Sequence, residues 1–119
     1  MAPSFHVIIR RRGGKNDKRA FPTLGAAIDD LETELRAVAT RIARAPQVER
    51  ALGRDYEPIE QVAVRGELRG PGRVRAGVDV RGDGSAEAWT GVVRRRLIAV
   101  RDREDAWSAL RRELDAEGR

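Results

Sequence analysis

The sequence predicts a single α+β domain in which two helices pack on one face of an antiparallel sheet of three to five strands. Two stretches carry apolar residues at helical spacing, and several others carry them at every second position. The chain of 119 residues is long enough for one hydrophobic core and too short for two, so we expect one domain over residues 1–119. The predicted order is β, an optional β, α, β, β, β, α.

The N-terminal part predicts a strand and a turn. Residues 5–9 are apolar and rich in β-branched side chains, and they lead into three arginines and the pair Gly13-Gly14. Residues 18–21 then favour a short returning strand, which would make a basic hairpin. Whether the first strand lies at the centre or the edge of the sheet stays open.

A long amphipathic helix is predicted next, with Thr23 as its N-cap and Pro46 beyond its end. Its apolar stripe comprises Leu24, Ile28, Leu31, Leu35, Val38 and Ile42. The same spacing fits three heptads, so dimerisation through a coiled coil is an alternative to packing on the sheet. A short helical turn over residues 47–52, stopped by Gly53, is expected to follow.

Three strands are then predicted from alternating apolar positions. The first alternation includes Val62, Val64, Gly66 and Leu68, and the second includes Val74, Ala76, Val78 and Val80. The third runs from Ala86 towards Ile98, with a bulge or strand end expected at residues 94–96.

A second helix is predicted to complete the fold at the C-terminal end of the chain. We expect Asp102 to cap it and Ala106, Trp107, Leu110 and Leu114 to form its apolar stripe.

Composition excludes several classes of function. The absence of cysteine removes disulfides, thiolate catalysis and cysteine-based metal sites, and no apolar run approaches the length of a bilayer span. We therefore expect a cytoplasmic protein. No phosphate-binding loop, dinucleotide fingerprint or nucleophile motif occurs, and His6 is the single histidine, so no metal, cofactor or enzymatic activity is expected. Glu57 and Glu60, beside Tyr56, are the acid–base pair that folding would have to bring together in an enzyme.

The net charge of +5 arises in one segment, because residues 10–19 hold six basic residues against Asp17 alone. Only Lys15 and Lys18 among the 24 basic residues are lysines, and GC-rich coding also produces such an excess of arginine. A low-specificity RNA- or DNA-binding protein is one hypothesis for this segment. Its phosphate contacts would be Arg10, Arg11, Arg12, Lys15, Lys18 and Arg19.

The favoured hypothesis is a small non-enzymatic interaction domain or accessory subunit. The outward face of the three-strand meander would carry five arginines with Glu67, Asp79 and Glu87 among them. Its partner would be another protein or a second copy of the chain, as in a homodimer. The arginines of this predicted interface are Arg65, Arg69, Arg73, Arg75 and Arg81.

Overall fold

The computed structural model describes residues 4–11, 14–44, 62–72, 74–91 and 94–117. These residues form an α+β fold with a six-stranded sheet and two helices. The elements are β1 (Phe5–Arg11), β2 (Asp17–Phe21), α1 (Leu24–Arg44), β3 (Val62–Arg69), β4 (Arg75–Arg81), β5 (Ala86–Thr90), β6 (Arg96–Leu97) and α2 (Ala106–Glu117). The predicted helical turn at residues 47–52 lies outside the described residues.

The strands lie in the order β2-β1-β3-β4-β5-β6, and every neighbouring pair is antiparallel. β1 and β2 form the predicted hairpin, in which Phe5 lies opposite Phe21. β1 also pairs with β3, so the N-terminal strand lies inside the sheet and β2 forms its edge.

Both helices pack on the same face of the sheet, as predicted. Side chains of α1, α2 and alternate positions of the strands form one buried apolar cluster. Ile28, Leu31, Leu35 and Val38 of α1 are buried in it, which accounts for the heptad-like spacing without a partner helix.

Gly66 of β3 lets α1 lie close to the centre of the sheet. A β-carbon at this position would collide with Cδ1 of Leu31 and of Leu35, both of which are fully buried. The glycine that interrupts the alternating valines therefore makes room for the helix.

The end of the meander differs from the prediction, since the sheet has six strands where three to five were expected. β5 stops at Thr90, and Gly91 takes a φ of 137°, a backbone conformation that L side chains rarely adopt. The chain then reverses, and Leu97 of β6 pairs with Trp89. The predicted single long strand is thus two strands, and the break comes at Gly91, before residues 94–96.

The predicted cap of α1 is confirmed and that of α2 is wrong. The Oγ1 atom of Thr23 accepts a hydrogen bond from the amide of Ala26 at 3.1 Å. At α2, the cap is Asp105, whose Oδ1 accepts from the amide of Ser108 at 2.8 Å, and this hydrogen bond lowers the pKa of Asp105. Asp102 instead lies in the preceding turn, where Arg103 has a positive φ of 66°.

No helix in the described part of the chain combines the length and the apolar character that crossing a membrane requires.

An ion-pair network joins the outer surfaces of the two helices. Arg111 of α2 donates to Glu32 at 2.9 Å and to Asp29 at 2.7 Å, while Arg36 of α1 donates to Glu32 at 2.8 Å and to Asp105 at 3.1 Å. Burial raises the pKa of Glu32, but the hydrogen bonds from Arg36 and Arg111 outweigh it, so the pKa lies below the ordinary value of 4.5.

We predict that Glu32 makes the fold sensitive to acid. A carboxyl group with a lowered pKa in the folded state stabilises the fold above its unfolded pKa, and this stabilisation is lost as the pH falls through the folded-state value. Glu32→Gln is expected to cost about 1 kcal/mol at neutral pH and to flatten the loss of stability below pH ~5. Thermal unfolding followed by circular dichroism at several pH values measures both effects.

Glu34→Gln is the control for this prediction. Glu34 lies on the same helix and pairs with Arg19 at 3.4 Å, so its effect should be the smaller one. If the acid-unfolding curve of Glu32→Gln superimposed on that of the wild type, Glu32 would not be the source of the acid sensitivity.

Candidate interaction surface

The sheet face opposite the helices carries a set of charged side chains, which we call the arginine face. The strand registers place these residues on one side because Arg65 lies opposite Asp79, Glu67 opposite Gly77, and Asp79 opposite Glu87. The arginine face comprises the basic residues Arg10, Lys18, Arg65, Arg69, Arg75 and Arg81, the acidic residues Glu67, Asp79 and Glu87, and Trp89.

Four of the five arginines predicted for the interface lie on this face, on the neighbouring strands β3 and β4. The fifth, Arg73, lies outside the described residues.

The basic segment does not form one continuous cluster in the described structure. Strand alternation puts Arg10 and Lys18 on the arginine face, whereas Arg11 and Arg19 are on the helix side, opposite Val64 and Val7. Lys15 is exposed in the turn between β1 and β2. Arg12 lies outside the described residues.

Both helix-side arginines of this segment pair with acidic groups. Arg11 donates to Asp17 at 2.7 Å, and Arg19 donates to Asp30 of α1 at 3.0 Å. Arg10, by contrast, lies beside the arginines of β3 and β4. One surface thus contains residues from both of the sites predicted from the sequence.

Glu67 is the centre of the arginine face and is only 3% exposed. Arg69 donates from Nε to Oε2 of Glu67, and the Nε atom of Arg75 lies 3.6 Å from the same oxygen. Arg10 approaches from the neighbouring strand, with its Nε atom 3.6 Å from Oε1. Three guanidinium groups thus lie around one carboxylate.

Asp79 forms a second buried ion pair on the same face. Arg65 donates to Asp79 through Nε at 2.8 Å and through Nη2 at 3.1 Å. This is the bidentate geometry in which a planar guanidinium group binds both oxygens of a carboxylate. These hydrogen bonds raise the pKa of Arg65. The indole Nε1 of Trp89 also donates to Oδ1 of Asp79, at 3.1 Å. Asp79 therefore accepts from both an arginine and a tryptophan.

Trp89 is 1% exposed, although it lies on the face away from the apolar core. Its ring lies against Gly77, where a β-carbon would come 2.5 Å from Cζ2. The guanidinium groups of Arg95 and Arg75 lie 5.4 Å and 6.0 Å from the ring centre. The arginines thus cover an aromatic ring that would otherwise be exposed on the sheet.

Sequence reasoning missed Trp89 as part of this surface. A usable signal is the position of Trp89 in the alternation of its strand, since it falls on the polar side between Ala88 and Thr90. A glycine at a polar position of the neighbouring strand, here Gly77, is the matching signal for a large side chain lying across that strand.

Among the described residues, no three histidine, aspartate or glutamate side chains come together in a way that would hold a metal ion. A cleft of about 280 Å³ lies between α1, α2 and the β4–β5 turn, and the arginine that lines it, Arg36, is paired with Glu32 and Asp105. His6 is half-buried on β1, opposite Arg69. The pair Glu57 and Glu60, with Tyr56, lies outside the described residues.

Comparison with protein families, with curated proteins and with solved structures finds no match for this chain. The case for a function therefore depends on the geometry and the charge of the arginine face.

We predict that Asp79 is required for the stability of the arginine face. Asp79→Ala leaves the Arg65 guanidinium and the indole N–H of Trp89 without their acceptor, and the expected cost is about 2–4 kcal/mol. The matched control is Glu87→Ala, which removes the half-exposed partner of Arg81 and should cost less than about 1 kcal/mol. Urea denaturation followed by circular dichroism measures both changes, and equal losses would contradict the role given to Asp79.

Proposed function

We propose that this protein is a non-enzymatic interaction domain or accessory subunit that binds another protein through the arginine face. The observation that supports this most strongly is the sharing of Glu67 by Arg10, Arg69 and Arg75. Arginine is enriched at protein interfaces because its guanidinium group combines a planar apolar surface with several directed donors. We further propose that the protein acts in the cytoplasm.

The structural order of this face favours a binding role. The carboxylates of Glu67 and Asp79 fix the ends of long side chains that would otherwise lose conformational entropy on binding. A partner would therefore meet guanidinium groups that are already in place.

The charge of the face favours a different protein over a second copy of the chain. Its described residues comprise six basic and three acidic side chains, so two copies placed face to face would bring two positive surfaces together. Two copies that paired through their edge strands β2, antiparallel and centred on Arg19, would place Arg19 of one copy opposite Arg19 of the other. Two positive charges would then face each other. A homodimer through either surface is the less favoured form of the proposal.

Low-specificity RNA or DNA binding is a second candidate function, since Arg10 and Lys18 extend the positive surface from β3 to the edge strand β2. Proteins of this kind usually add exposed aromatic rings on which bases stack. Among the described aromatic residues, Trp89 and Trp107 are buried, and Phe5 and Phe21 pack against the core. A protein partner therefore ranks first.

The test uses two charge-reversal variants of the full chain. In one, Arg10, Arg69 and Arg81 of the arginine face are each changed to glutamate; in the control, the exposed residues Arg41, Arg44 and Arg94 elsewhere are changed in the same way. A protein that the wild-type chain captures from a cell lysate is identified and purified. Its binding to the wild type, the arginine-face variant and the control variant is then measured by calorimetry. We expect the arginine-face variant to bind at least about tenfold more weakly and the control to bind like the wild type.

Two results would contradict the proposal. If both variants bound the partner more weakly to the same degree, the interface would lie elsewhere, or binding would depend only on the overall charge of the protein. Capture of nucleic acid alone, with an affinity that falls steeply as salt is added, would favour the second candidate function.

A further inference from the structure

The cluster around Glu67 has a feature that a simple ion pair lacks. The Glu67 side chain is 4% exposed, whereas the side chains of Arg10 and Arg69 are 45% and 49% exposed. The buried carboxylate thus holds one end of two guanidinium groups while about half of each arginine side chain faces solvent.

We propose that the exposed sides of Arg10 and Arg69 bind a carboxylate from an acidic segment of the partner protein, an inference that rests on the proposed function of the arginine face. Arg10 and Arg69 reach Glu67 from different strands and from opposite directions, since Arg10 lies opposite Arg65 and Arg69 lies opposite His6. Their guanidinium groups therefore converge over the middle of the sheet. Each has five N–H donors, of which the contact with Glu67 involves the one on Nε.

The positive charge of the cluster around Glu67 favours the binding of an anion. Glu67 supplies one negative charge to both Arg10 and Arg69, so these two arginines together keep a positive charge that this carboxylate does not offset. A carboxylate from the partner would reduce that excess and accept the remaining donors in the planar geometry that guanidinium groups favour. Glu67 itself shows that a carboxylate fits among these arginines.

The distribution of acids on the face favours a protein segment over a nucleic-acid strand. Glu67, Asp79 and Glu87 lie on the adjacent strands β3, β4 and β5, so negative charges interrupt the positive surface. A phosphate backbone carries a negative charge on every nucleotide and would have to pass over these carboxylates. The side chains of an acidic protein segment can instead place their charges only where the arginines lie.

The test measures the binding of a labelled oligoglutamate peptide to the full chain by fluorescence anisotropy at fixed ionic strength, next to an oligonucleotide of the same net charge. The variants are Arg10→Ala with Arg69→Ala, and the control is Arg41→Ala with Arg44→Ala, which removes the same charge from the exposed end of α1. We expect the peptide to bind more tightly than the oligonucleotide. We expect the first pair of changes to weaken peptide binding by about tenfold or more and the control pair to leave it unchanged.

Arg69→Lys keeps the test decisive if the alanine variant unfolds. It keeps the positive charge and an aliphatic stem but loses the planar fork, so we expect peptide binding between that of the wild type and that of the alanine pair. If Arg69→Lys bound the peptide as tightly as the wild type, the planar guanidinium group of Arg69 would not be what binds the carboxylate.

The outcomes separate this inference from the proposed function. Unchanged peptide binding by the alanine pair, together with its loss in the charge-reversal variant of Arg10, Arg69 and Arg81, overturns the carboxylate site and leaves the arginine face as the interface. Unchanged binding in all of these variants overturns both. Tighter binding of the oligonucleotide than of the peptide overturns the inference in favour of a nucleic-acid partner.

Discussion

Two carboxylates buried on the sheet face that the helices leave uncovered, those of Glu67 and Asp79, constrain the rest of this structure. An ionised group removed from water costs several kcal/mol unless charged partners and hydrogen bonds compensate for it. The arginines that approach these two acids therefore stabilise the fold, and their side chains are also partly exposed to solvent. This explains why the surface is rich in charge and ordered at the same time.

The same constraint explains the positions of Gly77 and Trp89. Asp79 has room for a third hydrogen bond besides the two from Arg65, and the indole N–H of Trp89 supplies it. The ring reaches that position only because Gly77 has no side chain. Arg75 and Arg95 then shield the ring, so the order of the arginine face and the packing of the tryptophan depend on one another.

Sequence periodicity predicted the class of the fold, the pairing of the meander and the side of the sheet on which its arginines lie, because the period-two pattern of residues 62–81 leaves one solution. It placed the cap of α2 three residues too early, since Asp102 and Asp105 are equivalent as residue types and only the backbone geometry at Arg103 separates them. It also missed the reversal at Gly91, because the residues after it resemble a continued strand.

The candidate site was only partly predictable, for a physical reason. The alternation that sorted the arginines of β3 and β4 also divides Arg10 from Arg11 and Lys18 from Arg19, so a run that looked like one basic segment faces two ways. The meeting of Arg10 with Glu67 depends on the pairing of β1 with β3, which are separated by a helix in the sequence. Long-range register of this kind is set by the packed core, and a local pattern does not contain it.

The most direct measurement of the central claim is hydrogen exchange of the side-chain N–H groups by nuclear magnetic resonance on the isolated protein. We predict that Nε–H of Arg65 and Arg69 and Nε1–H of Trp89 exchange with solvent much more slowly than Nε–H of the exposed Arg41 on α1, because the buried carboxylates of Glu67 and Asp79 accept hydrogen bonds from them. Exchange of all four groups at the same rapid rate would show that Glu67 and Asp79 do not order this surface.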